Sequence, residues 1–279
     1  MVTEPRPDAR YVLGSSLTEH ERLVRQAGLI AGSMRHMLTE AGLGPGMSVL
    51  DVGCGMGDVS LVAGAFVGTD GHITACDTNP QVIAQARERF DAAGINNVDF
   101  VVADIRELQA QRFDAVIGRF VLLYTADPVV VLRRSRELLR PGGVIAFEEL
   151  ELDVLGSKTL GSYPCVPVYE KGKEWALECF RRGGIEMRMG SKLHSVFRAA
   201  GLPDPHLNME IGFRCANDRT VCDFLAGTVR SLLPRIEEYG IASAAEVDID
   251  TLADRLHAEG SALDAVYGFA PRVTAWTRV

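Results

Sequence analysis

Three glycines and three aspartates mark the part of this 279-residue sequence best suited to chemistry. The run Asp51-Val52-Gly53-Cys54-Gly55-Met56-Gly57 closes a short apolar stretch that begins at Val49. Glycines at such a turn permit a tight bend and let backbone amides approach a ligand closely. The spacing is G-x-G-x-G. A dinucleotide turn, G-x-G-x-x-G, would put its third glycine at position 58, which is Asp58 here, so a nicotinamide cofactor loses its best residue. Asp77, followed by Thr78, closes the second apolar run, where a carboxylate can accept both hydroxyl protons of a ribose. Asp104 and Ile105 close the third. That pair suits an adenine: an acceptor for its exocyclic amine and an apolar contact for its ring. Each aspartate alone could be a helix N-cap; three at successive strand ends point to a nucleoside site.

The elements that must position these groups are legible around them. Val49 to Val52, His72 to Cys76, Val98 to Val102, Phe113 to Ile117 and Val144 to Phe147 read as five short strands, with helices between them. Asn79-Pro80 and Asp127-Pro128 open two of those helices, with proline in the first turn. Strands alternating with helices predict parallel βαβ units and a sheet buried on both faces. Leu207 to Cys215 and Arg272 to Val279 add two strands. Between them, helices carrying Val221, Phe224 and Val229, then Leu252 and Leu256, form an acidic insertion. Before the sheet, Thr18 and Glu21 fit a capping box that opens a helix reaching Leu38, and glycines and Pro45 stop it. The predicted fold is α/β: a Rossmann-like, seven-stranded, mostly parallel sheet with helices on both faces, an N-terminal helical segment, and a C-terminal helical insertion before the last strand. The expected division is 1–46 as a helical segment covering the cofactor site, 47–215 with 261–279 as the core, and 216–260 as a cap.

Bulk properties narrow the partners. The formal charge is −8, and no basic stripe of the kind nucleic acid requires is present. No run approaches the 18 or so apolar residues of a membrane span. Met1 to Arg10 is polar and lacks the apolar segment of a secretory signal, so a cytoplasmic location is expected. Six cysteines form no C-x-x-C pair, and no metal site is expected. They read as free packing thiols.

Val49 to Gly57, Asp77, Asp104, Phe113-Asp114-Ala115-Val116 and Leu138-Leu139-Arg140-Pro141-Gly142-Gly143 together resemble the successive motifs of class I S-adenosylmethionine-dependent methyltransferases. The resemblance covers about Met47 to Leu150. It implies that Gly53 and Gly55 lie against the methionine part of S-adenosylmethionine, that Asp77 binds ribose hydroxyls, and that Asp104 with Ile105 meets the adenine. It further implies that Asp51 orients the loop and contacts the amino end, and that Gly118-Arg119-Phe120 passes beside the methionyl chain and sulfonium. Outside that core, Tyr11-Val12-Leu13-Gly14 and the acidic insertion resemble bacterial ubiquinone and menaquinone C-methyltransferases, with Tyr11 placed to close over the cofactor.

Methyl transfer from a sulfonium needs alignment more than acid–base chemistry. A general base helps only when the acceptor arrives protonated. Glu149, Tyr163 and His194 are the candidates, against readings as a surface acid, a loop anchor and a packing residue. The expected partner is a small-molecule acceptor with a carbon, oxygen or nitrogen nucleophile. The alternative is a protein that binds the cofactor without methyl transfer, as a cyclase or regulator. Separated Cys165 and Cys215 resemble those of arsenite methyltransferases, but those enzymes carry a cysteine just past the glycine turn, where this chain has Asp58-Val59. The N-terminal helix could lie on its own subunit or on a neighbour's, which leaves a homodimer open.

Overall fold

The computed structural model describes residues 32–109, 112–155 and 160–279. Helix α1 is described over 32–40. There follow β1 (Ser48–Val52), α2 (Asp58–Val67), β2 (His72–Asp77), α3 (Pro80–Ala92), β3 (Val98–Val102), β4 (Phe113–Arg119), α4 (Pro128–Glu137) and β5 (Leu139–Leu150). Then come α5 (Leu152–Leu155), β6 (Ser162–Tyr163), α6 (Pro167–Arg182), α7 (Met189–Ala199), β7 (His206–Glu210), β8 (Phe213–Cys215), α8 (Arg219–Glu238), α9 (Ala244–Val247), α10 (Ile249–Ala262), β9 (Val266–Gly268) and β10 (Arg272–Arg278).

Seven strands form one sheet in the order β3-β2-β1-β4-β5-β10-β7. β1 to β5 run parallel, and β10 runs antiparallel to both β5 and β7. The sheet alternates as a strand period of two requires. Val49, Ile73, Ala115 and Ala146 face one side and pack on α1, α2 and α3; Leu50, Val52, Val116 and Ile145 face the other and pack on α4 and α7. The Asn79 side chain accepts from the N–H of Gln81 and Val82, and Asp127 does the same for Val129 and Val130. These caps start the helices that cover the sheet where the sequence places them.

Three local results differ from the sequence reading. β5 begins at Leu139, and the Pro141-Gly142-Gly143 turn bulges out of its pairing, since Phe113 faces Leu139 while Ala115 already faces Val144. The stretch Leu207 to Cys215 is two strands. β7 stays in the large sheet, whereas β8 joins a second sheet, β6-β9-β8, which pins 162–163, 213–215 and 266–268 together. The layer above the strand ends also draws on more than 216–260: α8 packs against α6, and α10 packs on both.

Candidate functional site

Strand order reverses between β1 and β4, the switch point where an open α/β sheet leaves a crevice beyond its carboxyl ends. A cavity of about 500 Å³ opens there and runs from the ends of β1 to β4 up to α6 and α8. One half is floored by the glycine turn, Asp77, Asp104 and Arg119; the other is walled by apolar side chains.

In the glycine turn Gly53, Gly55 and Gly57 all hold a left-handed backbone, with φ of +63°, +53° and +82°. That conformation is strained for any side chain bearing a Cβ. Gly55 lines the cavity, and a Cβ there would meet nothing within 4 Å, so the turn presents bare backbone to whatever occupies the crevice. Asp77 holds the turn from the next strand: its Oδ2 accepts from Gly55 N–H at 3.1 Å and its Oδ1 from Asn79 N–H at 2.9 Å. Each oxygen retains a lone pair for a ligand hydroxyl. Thr78 lies beside it on the cavity wall.

Asp104 accepts at Oδ1 from the N–H and Nε of Arg106, at 2.8 and 2.9 Å, and at Oδ2 from Nη2 at 2.5 Å. The Arg106 fork holds its carboxyl below the usual range. An adenine amine at Asp104 would share these oxygens with Arg106. Ile105 is buried and lines the same wall.

Asp51 does not line the cavity. It is buried beneath the turn and accepts from the Ser60 hydroxyl at 2.6 Å, which straps the start of α2 to β1. Burial raises its pKa to about 7, opposed by Ser60 and the Arg119 charge. Gly118 is not on the wall either; a Cβ there would sit 2.5 Å from the Phe147 ring, so this glycine admits a packed aromatic. Arg119 and Phe120 do line the cavity. Arg119 is one-tenth exposed, its Nη2 lies 4.0 Å from Asp58, and its buried Nη1 has no hydrogen-bond partner among the described residues. Tyr11 lies outside the described residues. Residues 32–46 lie on a sheet face and contribute nothing to the cavity wall, so this part of the N-terminal segment does not cover the site.

The three base candidates fall elsewhere. Glu149 is fully buried and absent from the wall. Its Oε1 accepts from Val121 and Leu122 N–H at 3.0 and 2.8 Å, and its Oε2 from Leu123 N–H at 3.2 Å. Phe120, just before them, has a left-handed φ of +56° and donates its N–H to the Glu148 carbonyl. Such a backbone costs about 1–3 kcal/mol and persists only when its surroundings over-determine it. Glu149 therefore anchors the strained turn after β4 and does not reach the cavity wall. Burial lifts its pKa to about 8, although the three N–H donors oppose this. Tyr163 is 80% exposed on β6. His194 is an exposed residue of α7, 3.4 Å from Asp204. Neither lines the cavity. The thiols divide as well: Cys54, Cys76, Cys179 and Cys222 are buried, but Cys165 and Cys215 are exposed and do no packing work in the core.

Sequence reasoning expected the 216–260 helices as a cap but missed what α6 and β10 bring to the upper half of the cavity. Tyr169, Lys173, Leu177 and Phe180 reach it from α6, Phe224 and Leu225 from α8. Arg272, at the start of β10, also lines it and pairs with Glu210 and with Glu148 at 3.5 Å. Tyr169 donates to the Gly268 carbonyl at 2.5 Å, and Thr228 to the Phe224 carbonyl at 2.9 Å, so these hydroxyls are already engaged. That α6 faces a cavity and not the sheet depends on its packing against α8.

The methyltransferase domain family matches residues 43–201, more than half of the chain and the whole set of strand-end groups. The chain belongs to this family. An aklanonic acid methyltransferase of Streptomyces is 35% identical over 104 residues, 37% of this chain and 47% of that protein. A demethylmenaquinone methyltransferase of Listeria welshimeri is 34% identical over 103 residues, 36% and 44% of the two chains. The match thus spans about half the length of these curated relatives. A cyclopropane synthase of Mycobacterium tuberculosis shares the fold, with a TM-score of 0.53 at 15% identity over 88% of this chain and 84% of that one. Among the described residues no helix is long and apolar enough to cross a membrane.

Proposed function

We propose that this chain transfers a methyl group from S-adenosylmethionine to a small-molecule acceptor through a carbon, oxygen or nitrogen nucleophile, in secondary or cofactor metabolism. The observation that carries the reading is a single cavity joining a nucleoside-type floor to an apolar chamber. When bound, S-adenosylmethionine supplies a methyl group already activated on a sulfonium. The residues of the floor fit that cofactor. Asp77 offers lone pairs to ribose hydroxyls, Ile105 an apolar face to the base, and Asp104 an acceptor shared with Arg106. The unpartnered Nη1 of Arg119 supplies a donor for a carboxylate.

Among the described residues no histidine or glutamate lines the cavity, and the acids that do, Asp58, Asp77 and Asp104, all lie on the cofactor side. The protein's contribution is thus alignment and exclusion of water by the walls of α6 and α8. Alignment alone can supply roughly 7–11 kcal/mol in well-oriented systems. A cytoplasmic location belongs to the same reading, and light scattering separates a monomer from the homodimer it allows.

The test has two stages. S-adenosylmethionine at about 100 times its Kd should stabilise the fold by about 2.7 kcal/mol, and NAD should not. Labelled methyl should then appear on an acceptor from a panel beginning with aklanonic acid and demethylmenaquinone, the compounds in the relatives' names. Stabilisation by NAD alone would overturn the cofactor assignment; cofactor binding with no transfer to any acceptor would overturn the enzyme assignment.

A further inference from the structure

The acceptor half of the cavity contains one group that an apolar chamber does not need. Lys173 stands on α6 with Tyr169, Ala176 and Leu177, which line the same cavity, and its side chain is 7% exposed. A charge in such a place is costly unless it is paired and hydrogen-bonded. Its ammonium is held from behind. Glu170 accepts from it at 2.6 Å and the Leu160 carbonyl at 3.1 Å. Glu170 is itself fixed by the N–H and hydroxyl of Ser162, at 2.7 and 2.8 Å, and is not part of the cavity wall. An ammonium has three donors. Two are engaged by this cradle, and the third has no partner among the described residues.

The surroundings select the ligand that third donor would take. Lys173 lines the cavity, whereas its partners Glu170 and Leu160 do not. Arg272 also lines the cavity, but Glu210 and Glu148 already pair with it. Among the described residues the acids of the wall are Asp58, Asp77 and Asp104, all on the cofactor side, so none of them stands in the acceptor half to repel an anion. A simple packing role would not require a buried cation, since a methionine or leucine fills such a wall at lower cost.

We propose that Lys173 is a specificity-determining residue, and that the acceptor is an apolar molecule bearing an anionic oxygen (a carboxylate, phenolate or enolate) which its free N–H receives. The proposal rests on reading the apolar half as the acceptor chamber. It also agrees with the lack of a histidine or glutamate among the described residues of that wall: an acceptor that arrives ionised needs no proton removed.

The probes are 2-naphthoate and its neutral isostere 2-naphthamide, titrated by calorimetry into the full chain with and without S-adenosylhomocysteine. The wild type should bind naphthoate at least 10-fold tighter than naphthamide. Lys173→Met should abolish that preference while leaving S-adenosylhomocysteine affinity within about threefold, and Lys173→Arg should retain part of it. Equal binding of the two probes by the wild type, binding of neither, or an undiminished preference in Lys173→Met would overturn the proposal. The wild-type comparison stands even if Lys173→Met fails to fold. Failure of S-adenosylhomocysteine to bind, with the charge preference intact, would count against the cofactor reading and not against Lys173.

Discussion

Replacing Glu149 separates a structural carboxylate from a catalytic base. In Glu149→Gln one oxygen can still serve Val121 and Leu122, but the amide nitrogen then faces the Leu123 N–H, donor against donor. Losing one buried hydrogen bond and leaving its donor unsatisfied costs about 1–3 kcal/mol. Glu149→Ala strands all three N–H groups and should cost more. At about 2–4 °C per kcal/mol for a domain near this size, the glutamine variant should melt several degrees below the wild type. Because Phe120 and Val121 line the cavity, S-adenosylhomocysteine affinity should fall in parallel. Differential scanning calorimetry and titration calorimetry read the two effects. A glutamine variant with unchanged melting and unchanged affinity, but no turnover, would restore Glu149 as a base and refute the scaffold argument.

Other consequences are equally direct. Asp77→Ala should weaken S-adenosylhomocysteine binding by at least about 1 kcal/mol, since it removes the ribose acceptor and the strut of Gly55 together; unchanged affinity by calorimetry would sink the ribose assignment. Asp51 and Glu149 have folded pKa values near 7 and 8 against ordinary values of 3.8 and 4.5. Their contribution to stability is complete below about pH 4 and is lost as pH rises through the folded values, each by about 1.4 kcal/mol per pH unit between. Melting temperature should therefore decline from pH 5 to 7, and Asp51→Asn should flatten the decline; an unaltered slope would remove Asp51 from the account. Tyr163→Phe and His194→Ala should leave turnover within about twofold, because neither residue reaches the cavity.

The sheet could be read from the sequence because its signals are local. Apolar runs of strand length, the Asn79-Pro80 and Asp127-Pro128 starts, and the glycine turn each act within a few residues. The floor of the site was legible for the same reason, since Asp77 and Asp104 are placed by the strands that end on them. Glu149 misled because an acid at a strand end has the same sequence signature whether it faces a ligand or a neighbouring backbone. Only the strained turn at Phe120 to Leu123, which is 26–29 residues away in the chain, distinguishes the two. Lys173 was illegible for a related reason. Its burial depends on α8, some fifty residues later, closing over α6.

The central claim is that the strand-end floor holds S-adenosylmethionine. A crystal structure with S-adenosylhomocysteine tests it most directly. Ribose hydroxyls should lie on Asp77, the adenine against Ile105, and the amino-acid end between the Gly53–Gly57 turn and Arg119. Density for the ligand elsewhere, or an ordered crystal at saturating ligand with an empty floor, would contradict it.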